Sequence, residues 1–224
     1  GTNNKVHTAF EEGHSIWYFR AFDYAGVDSE TGAPLFRNRD GNIVGSSELT
    51  DEDMTDIGSA IPKFTYGITL NLEYKGIDFT AFGTGVAGNK IFNILYRADT
   101  PLRNSLRYYM DNAWTPENKG ASMPAPDQVA TDLNFWGSSA SMFNGSYFKI
   151  KQLQLGYTLP KRLTQKAAIK NLRFFVSLDD FFTFSKYPGM DPETATTGRN
   201  GGSGFDIGSY PTMKKCSFGA SFAF

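Results

Sequence analysis

The stretch FTYGITLNLEY alternates without a fault: Phe64, Tyr66, Ile68, Leu70, Leu72 and Tyr74 hold one parity, and Thr65, Gly67, Thr69, Asn71 and Glu73 the other. Successive side chains of a strand point to opposite faces, so this segment is a strand with one apolar and one polar face. The apolar row begins and ends in aromatic rings. Such rings favour a membrane–water interface, so the row reads as lipid-facing with a girdle at each end. A tight turn at YKG, Tyr74 to Gly76, returns the chain through IDFTAFGTG. There Ile77, Phe79 and Ala81 oppose Asp78, Thr80 and Thr84, which makes the pair a hairpin.

The same period recurs downstream. In SYFKIKQLQLGYTLP, Leu153, Leu155, Tyr157 and Leu159 oppose Gln152, Gln154, Gly156 and Thr158, while Phe148 and Ile150 fall on the other parity. The phase slips near Lys151, which predicts a bulge or a strand rising above the membrane. In LRFFVSLDDFFTF, Leu172, Phe174, Val176 and Leu178 oppose Arg173, Phe175, Ser177 and Asp179. Charges therefore sit opposite the apolar row, where a watery lumen tolerates them; Arg on the lipid face near the midplane costs about 2–4 kcal/mol. The last strand, about Tyr210 to Phe224, closes on SFGASFAF, with Phe218, Ala220, Phe222 and Phe224 on one face and Cys216 as a small apolar residue on the same side. Taken alone, that octet fits a soluble sandwich as well as a membrane strand. SIWYFRAFDYAGV, Ser15 to Val27, is a further strand candidate. Its aromatics occupy both parities, so its faces are not assignable.

Aromatic residues make up 15% of the 224, beside 23 glycines, which points to an all-β protein. A net charge of −1 leaves no footprint for nucleic acid. The single Cys216 excludes an internal disulfide framework and a multi-cysteine zinc site. No stretch approaches the roughly 18 uninterrupted apolar residues of a membrane helix, and no basic-then-apolar leader opens the sequence, but β-barrel strands leave little trace in a hydropathy average.

Connections between the strands alternate in length. Long loops are expected at about 28–62, 87–145 and 185–209, the last flexible by composition at GRNGGSGFD, and short ones at YKG and at the basic KRLTQKAAIKN, which has room for a helical turn or two. That rhythm is the signature of an outer-membrane barrel with short periplasmic turns and long extracellular loops. A soluble sandwich has no reason to keep its two ends so unequal.

Candidate sites are few. NRDGN, Asn38 to Asn42, has the oxygen-rich look of a calcium loop but lacks spaced carboxylates and a distal bidentate Glu, so it reads as a surface turn. Asp28, Glu30, Asp191 and Glu193 read as turn-formers or loop caps. Tyr108, Tyr109, Trp114 and Trp136 are candidate substrate or lid contacts, able to stack on sugar rings; the competing reading is that they are buried to order a long loop. His7 and His14 lie near no nucleophile arrangement, so no catalytic, cofactor-binding or metal residue is assigned.

Six stretches in order, GVDSETGAPLF, IGSAIPKFTYGITLNLEYKGIDFTAFGTGVAGNKIFN, WTPEN with MPAP, GSYFKIKQLQLGYTLP, FFTFSKYPGMDPE and SYPTMKKCSFGASFAF, resemble the C-terminal part of the SusC/RagA family of TonB-dependent transporters of Bacteroidetes. The resemblance runs from about Gly13 onward. It implies an all-β, antiparallel transmembrane β-barrel of about 22 strands, of which about six lie in this C-terminal portion. It also implies a plug domain and a TonB-contacting segment, expected outside residues 1–224, and a SusD-like surface lipoprotein as lid. The protein would then be part of an outer-membrane importer of oligosaccharides or oligopeptides in a Gram-negative bacterium, without cofactor or enzymatic role. An outer-membrane barrel enzyme or adhesin is the alternative. The membrane-facing set is Phe64, Tyr66, Ile68, Leu70, Leu72, Tyr74, Leu153, Leu155, Tyr157, Phe218 and Phe222. In the proteins this one resembles, a C-terminal aromatic, here Phe224, is the signal that the outer-membrane insertion machinery recognises.

Overall fold

A computed structural model describes residues 7–95, 107–165, 168–195 and 204–224. In chain order it contains β1 (His7–Ala9), β2 (Tyr18–Ala21), β3 (Asp23–Val27), β4 (Pro34–Arg37), β5 (Ile43–Gly45), β6 (Thr55–Ser59), β7 (Phe64–Tyr74), β8 (Ile77–Ala87) and β9 (Lys90–Asn93). Three short helices follow, α1 (Arg107–Asp111), α2 (Pro126–Val129) and α3 (Leu133–Trp136). Then come β10 (Met142–Asn144), β11 (Tyr147–Thr158), α4 (Lys161–Thr164), β12 (Asn171–Ser185), α5 (Pro192–Ala195), β13 (Phe205–Asp206) and β14 (Lys215–Ala223). No helix among the described residues is long and apolar enough to cross a membrane, which says nothing of strands.

The chain divides into two compact units. The sheet unit, 63–87, 146–185 and 211–224, is one antiparallel sheet in the order β14-β12-β11-β8-β7. Its strands contain no proline, so no residue within them lacks a ladder N–H. The β7–β8 hairpin is closed by Lys75 and Gly76, both at positive φ (49° and 86°), as a tight two-residue turn requires. Register places Leu70 opposite Ala81, Ala81 opposite Leu153, Leu153 opposite Leu178 and Leu178 opposite Cys216, so the apolar rows of all five strands share one face. The register of β11 shifts between Ile150 and Gln152 against both neighbours, which puts the bulge at Lys151. That bulge returns Ile150 and Phe148 to the apolar face despite their parity. Across from it Asp180 takes φ 57°, and Lys151 Nζ lies 3.1 Å from its carboxylate.

On the polar face Asp78 of β8 and Arg173 of β12 form a two-point ion pair that reaches across β11. Gly156 lies directly beneath: a Cβ there would fall 2.4 Å from an Arg173 nitrogen. Only glycine leaves the carboxylate and the guanidinium room to meet.

The second unit, 1–62, 88–145 and 186–210, is built differently. It holds three three-stranded sheets, β1-β2-β6, β3-β4-β5 and β10-β9-β13. Around them Phe22, Phe36, Tyr109, Phe135 and Trp136 form the largest buried cluster, with smaller ones at Phe19–Phe92 and Ile91–Tyr187. The stretches expected to be irregular loop thus carry strands, short helices and a core of their own. Part of the tract expected to be flexible, 196–203, lies outside the described residues, as do 166–167 of the basic connection. The candidate strand at 15–27 adds no sixth strand to the large sheet: it splits into β2 and β3, which belong to separate small sheets. Its aromatics on both parities have their reason here, since Tyr18, Phe19, Ala21 and Phe22 are all buried. The last strand starts at Lys215 rather than near Tyr210.

Candidate membrane-facing surface

Paired residues of antiparallel neighbours share a face, so the register defines the apolar surface of the sheet row by row. Between its ends lie Ile68, Leu70, Leu72, Phe79, Ala81, Leu153, Leu155, Val176, Leu178 and Phe218; of these Ile68, Leu70, Leu72, Leu155 and Phe218 are exposed, Phe218 at 83%, and the rest are half-buried. Every apolar residue assigned from the alternation, Phe64 to Tyr74 with Leu153, Leu155, Tyr157, Phe218 and Phe222, falls on this one face. Cys216 joins it opposite Leu178.

Aromatic rings bound the surface at both ends. At the loop end Phe64, Tyr66, Phe148 and Phe184 form a stacked row across four strands, with centroids 5.6, 5.9 and 6.4 Å apart and interplanar angles of 20°, 2° and 24°. β8 contributes Gly85 to this row, and the Tyr66 ring lies over it where a Cβ would be 2.4 Å away. At the turn end stand Tyr74, Tyr157, Phe174 and Phe222, with Phe222 and Phe224 edge to face at 5.5 Å. From Phe64 to Tyr74 a strand spans about 34 Å, and at a tilt of about 40° its height is about 26 Å, close to the roughly 25 Å apolar band of outer-membrane barrels. The opposite face carries Thr65, Asn71, Glu73, Asp78, Thr80, Gln152, Gln154, Arg173, Ser177 and Asp179. One face suits hydrocarbon and the other water.

The candidate contact residues of the other unit do not behave alike. Trp136 is 1% exposed, donates Nε1–H to the Val129 carbonyl at 2.7 Å and packs edge to face on Phe135 and Tyr109. Tyr109 is buried in the same cluster. For these two the ordering role replaces the expected contact role, because their apolar area is already spent on core packing. Tyr108 and Trp114 are half-buried; Trp114 donates Nε1–H to the Ser29 carbonyl at 3.1 Å.

The remaining turn residues act as turn residues. Asn38 Oδ1 accepts from the amides of Asp40 and Asn42 in the β4–β5 hairpin, so NRDGN is a turn. Asp28 Oδ1 accepts from the amides of Glu30 and Thr31, bonds that hold its carboxyl below the usual range. Asp191 caps α5 through the Glu193 amide at 3.0 Å. Composition gave no sign of a buried knot in which the Tyr187 hydroxyl donates to Asp206 and accepts from Asn93 at 3.2 Å, with burial pushing the phenol up. Only the cost of burying a lone carboxylate would have called for such partners.

No protein-family model matches the chain. It is 31% identical, over 95% of its length, to TonB-dependent receptor P3 of Formosa agariphila, of which it spans 22%. It is 28% identical to TonB-dependent receptor P26 of the same organism over 83% of the chain and 20% of that protein. Against TonB-dependent receptor SusC of Bacteroides thetaiotaomicron it is 25% identical over 100% of the chain and 21% of that protein. The chain therefore spans about a fifth of the length of these relatives. Among solved structures, that of the RagAB peptide transporter matches with a TM-score of 0.72 and 27% identity, over 92% of this chain and 23% of that one. The RagAB peptide importer in its closed-closed state matches with a TM-score of 0.73 and 25% identity, over 96% and 25%. Sequence likeness, an antiparallel sheet with one exposed apolar face, and these superpositions agree: the chain belongs to the SusC/RagA family of TonB-dependent receptors, as a segment of their β-barrel.

Proposed function

We propose that this segment forms part of the wall and loops of an outer-membrane, TonB-coupled importer that takes up oligosaccharides or oligopeptides under a SusD-like lipoprotein lid. The observation that carries this reading is the sheet face, continuous across five strands, apolar between two aromatic rows and about as tall as a membrane's apolar band. A face of that size left to water would be an aggregation site. The polar face, with the Asp78–Arg173 pair, then borders a watery lumen. The long connections 88–145 and 186–210 all join strands at the end marked by Ala87, Tyr147 and Ser185, which is one side of the membrane in this reading and the outer one by the usual barrel rule. Substrate and lid contacts belong there, with Tyr108 and Trp114 as the candidates that retain exposed surface. Import energy would come through the TonB complex, acting on parts of the receptor beyond this segment.

Spin labels at Ile68 and Thr69 of the full receptor test the wall. A lipid-soluble quencher should collide more often with the label at 68; the reverse would refute the facing. For loop function, shortening the tract 104–138 should impair uptake or lid association while heat-modifiable migration is kept, and unaltered growth on the natural nutrient would count against it. Phe224 is carried as the assembly signal: its deletion should leave unassembled precursor in the periplasm, and normal surface levels would reject that role.

A further inference from the structure

The turn end of the sheet is framed by cations. Lys75 closes the β7–β8 hairpin, and the β11–β12 connection, 159–170, carries Lys161, Arg162, Lys166 and Lys170 with no Asp or Glu. The contrast within the chain is large, since 28–62 holds eight Asp or Glu against two Arg and no Lys.

Local geometry puts Lys75, Lys161, Arg162 and Lys170 just beyond the aromatic row. Lys75 Nζ lies 5.1 Å from the centroid of the Tyr74 ring. β11 ends at Thr158, one residue past Tyr157, and after Pro160 the chain turns at once into α4, so Lys161 and Arg162 follow the row directly. The Lys170 amide donates to the Ala223 carbonyl at 2.8 Å, which sets it beside the end of β14, next to Phe222. Lys75, Lys161, Arg162 and Lys170 are exposed and join no ion pair among the described residues. The two carboxylates at this end, Glu73 and Asp78, share the polar face, and Asp78 is taken by Arg173. Between the cations Leu163 is 55% exposed while Thr164 of the same turn is buried.

An apolar surface, an aromatic row at its edge and, beyond that row, unpaired cations with an exposed leucine among them match a phospholipid: acyl chains, glycerol region, then phosphate. We infer that the rim formed by Lys75, Lys161, Arg162 and Lys170 binds the phosphate headgroups of anionic phospholipid in the leaflet at the turn end, with Leu163 set into the acyl region. This rests on the membrane-facing reading of the sheet.

The test uses the full receptor in nanodiscs, with a bimane label at Leu163→Cys in a Cys216→Ser background. Doxyl-labelled phosphatidylglycerol should quench the label more strongly than doxyl-labelled phosphatidylcholine at equal mole fraction. Each cation removed should lower the preference about fivefold, so Lys161→Gln/Arg162→Gln should lower it about 25-fold. Added inorganic phosphate should leave the preference unchanged, since a lipid is retained by both ends; its abolition by phosphate at matched ionic strength would mean a free-anion site and overturn the proposal. Equal quenching by both lipids in the parent receptor would overturn it while sparing the membrane reading. Absence of quenching by either lipid, here and with the label at Ile68, would reject the membrane reading itself. Heat-modifiable migration of each variant confirms the folded barrel.

Discussion

The two units spend their aromatic residues in opposite ways. In the unit of 1–62, 88–145 and 186–210, Phe22, Phe36, Phe135 and Trp136 are all but inaccessible and meet edge to face. In the sheet unit Phe64, Tyr74, Phe218 and Phe222 stand exposed on a single face. The first arrangement is what water demands, since burying a large apolar side chain is worth about 2–3 kcal/mol. The second is stable only where the medium beyond the face is apolar. A hydropathy average merges the two and reports neither.

The comparison makes Trp136 the residue whose loss should be felt most. Trp136→Ala should cost about 3–5 kcal/mol, through cavity formation and the lost Val129 bond. Limited proteolysis should show cleavage within 88–145 while the heat-modifiable barrel persists; unchanged resistance would mean that the cluster does not hold these connections. Next comes facing: Ile68→Arg should cost about 2–4 kcal/mol of barrel stability and Thr69→Arg far less. Equal losses in denaturant titrations of the two would erase the distinction between the faces.

A smaller effect tests the polar face. Gly156→Ala places a methyl where Asp78 and Arg173 meet, and forcing them apart should cost about 1–3 kcal/mol. The shift should appear in the temperature of heat modification, and Arg173→Gln in the same background should add little once the pair is broken. The smallest change concerns Asp28. Its carboxyl is held below the ordinary range by the amides of Thr31 and Glu30, so the ionised form favours the folded turn. That contribution is complete above the unfolded carboxylate pKa, about 3.9, and fades as pH falls through the depressed folded value. Amide exchange at Glu30 and Thr31 should accelerate over that acid range in the parent and lose this extra acid dependence in Asp28→Asn.

Much of the sheet unit was legible residue by residue. The alternation of 64–74 yields both the strand and its faces, because a period of two is a local property of extended backbone. The parity slip at Lys151 marks the bulge for the same reason: an extra residue is the local way to return Phe148 and Ile150 to the apolar side. In the other unit, apart from 15–27, the strands of two to five residues leave no periodicity to find, and their sequence reads as loop. The segment 15–27 shows the limit, with aromatics on both parities because both sides are buried, a pattern that names no face.

Sequence alone determined that the chain is all-β, where the long strands run, which parity is apolar and where the phase breaks; each follows from spacing along the chain. Tertiary structure alone decided that Tyr109 and Trp136 are core while Tyr108 and Trp114 keep surface, that 15–27 leaves the large sheet, and that Gly156 is a saddle for Asp78 and Arg173. These depend on partners far apart in the chain, 95 residues for Asp78 and Arg173 and 115 for Tyr24 and Ser139. Spacing carries no information about such encounters, because they are set by how whole strands pair and by which apolar surface is left for a neighbour to cover.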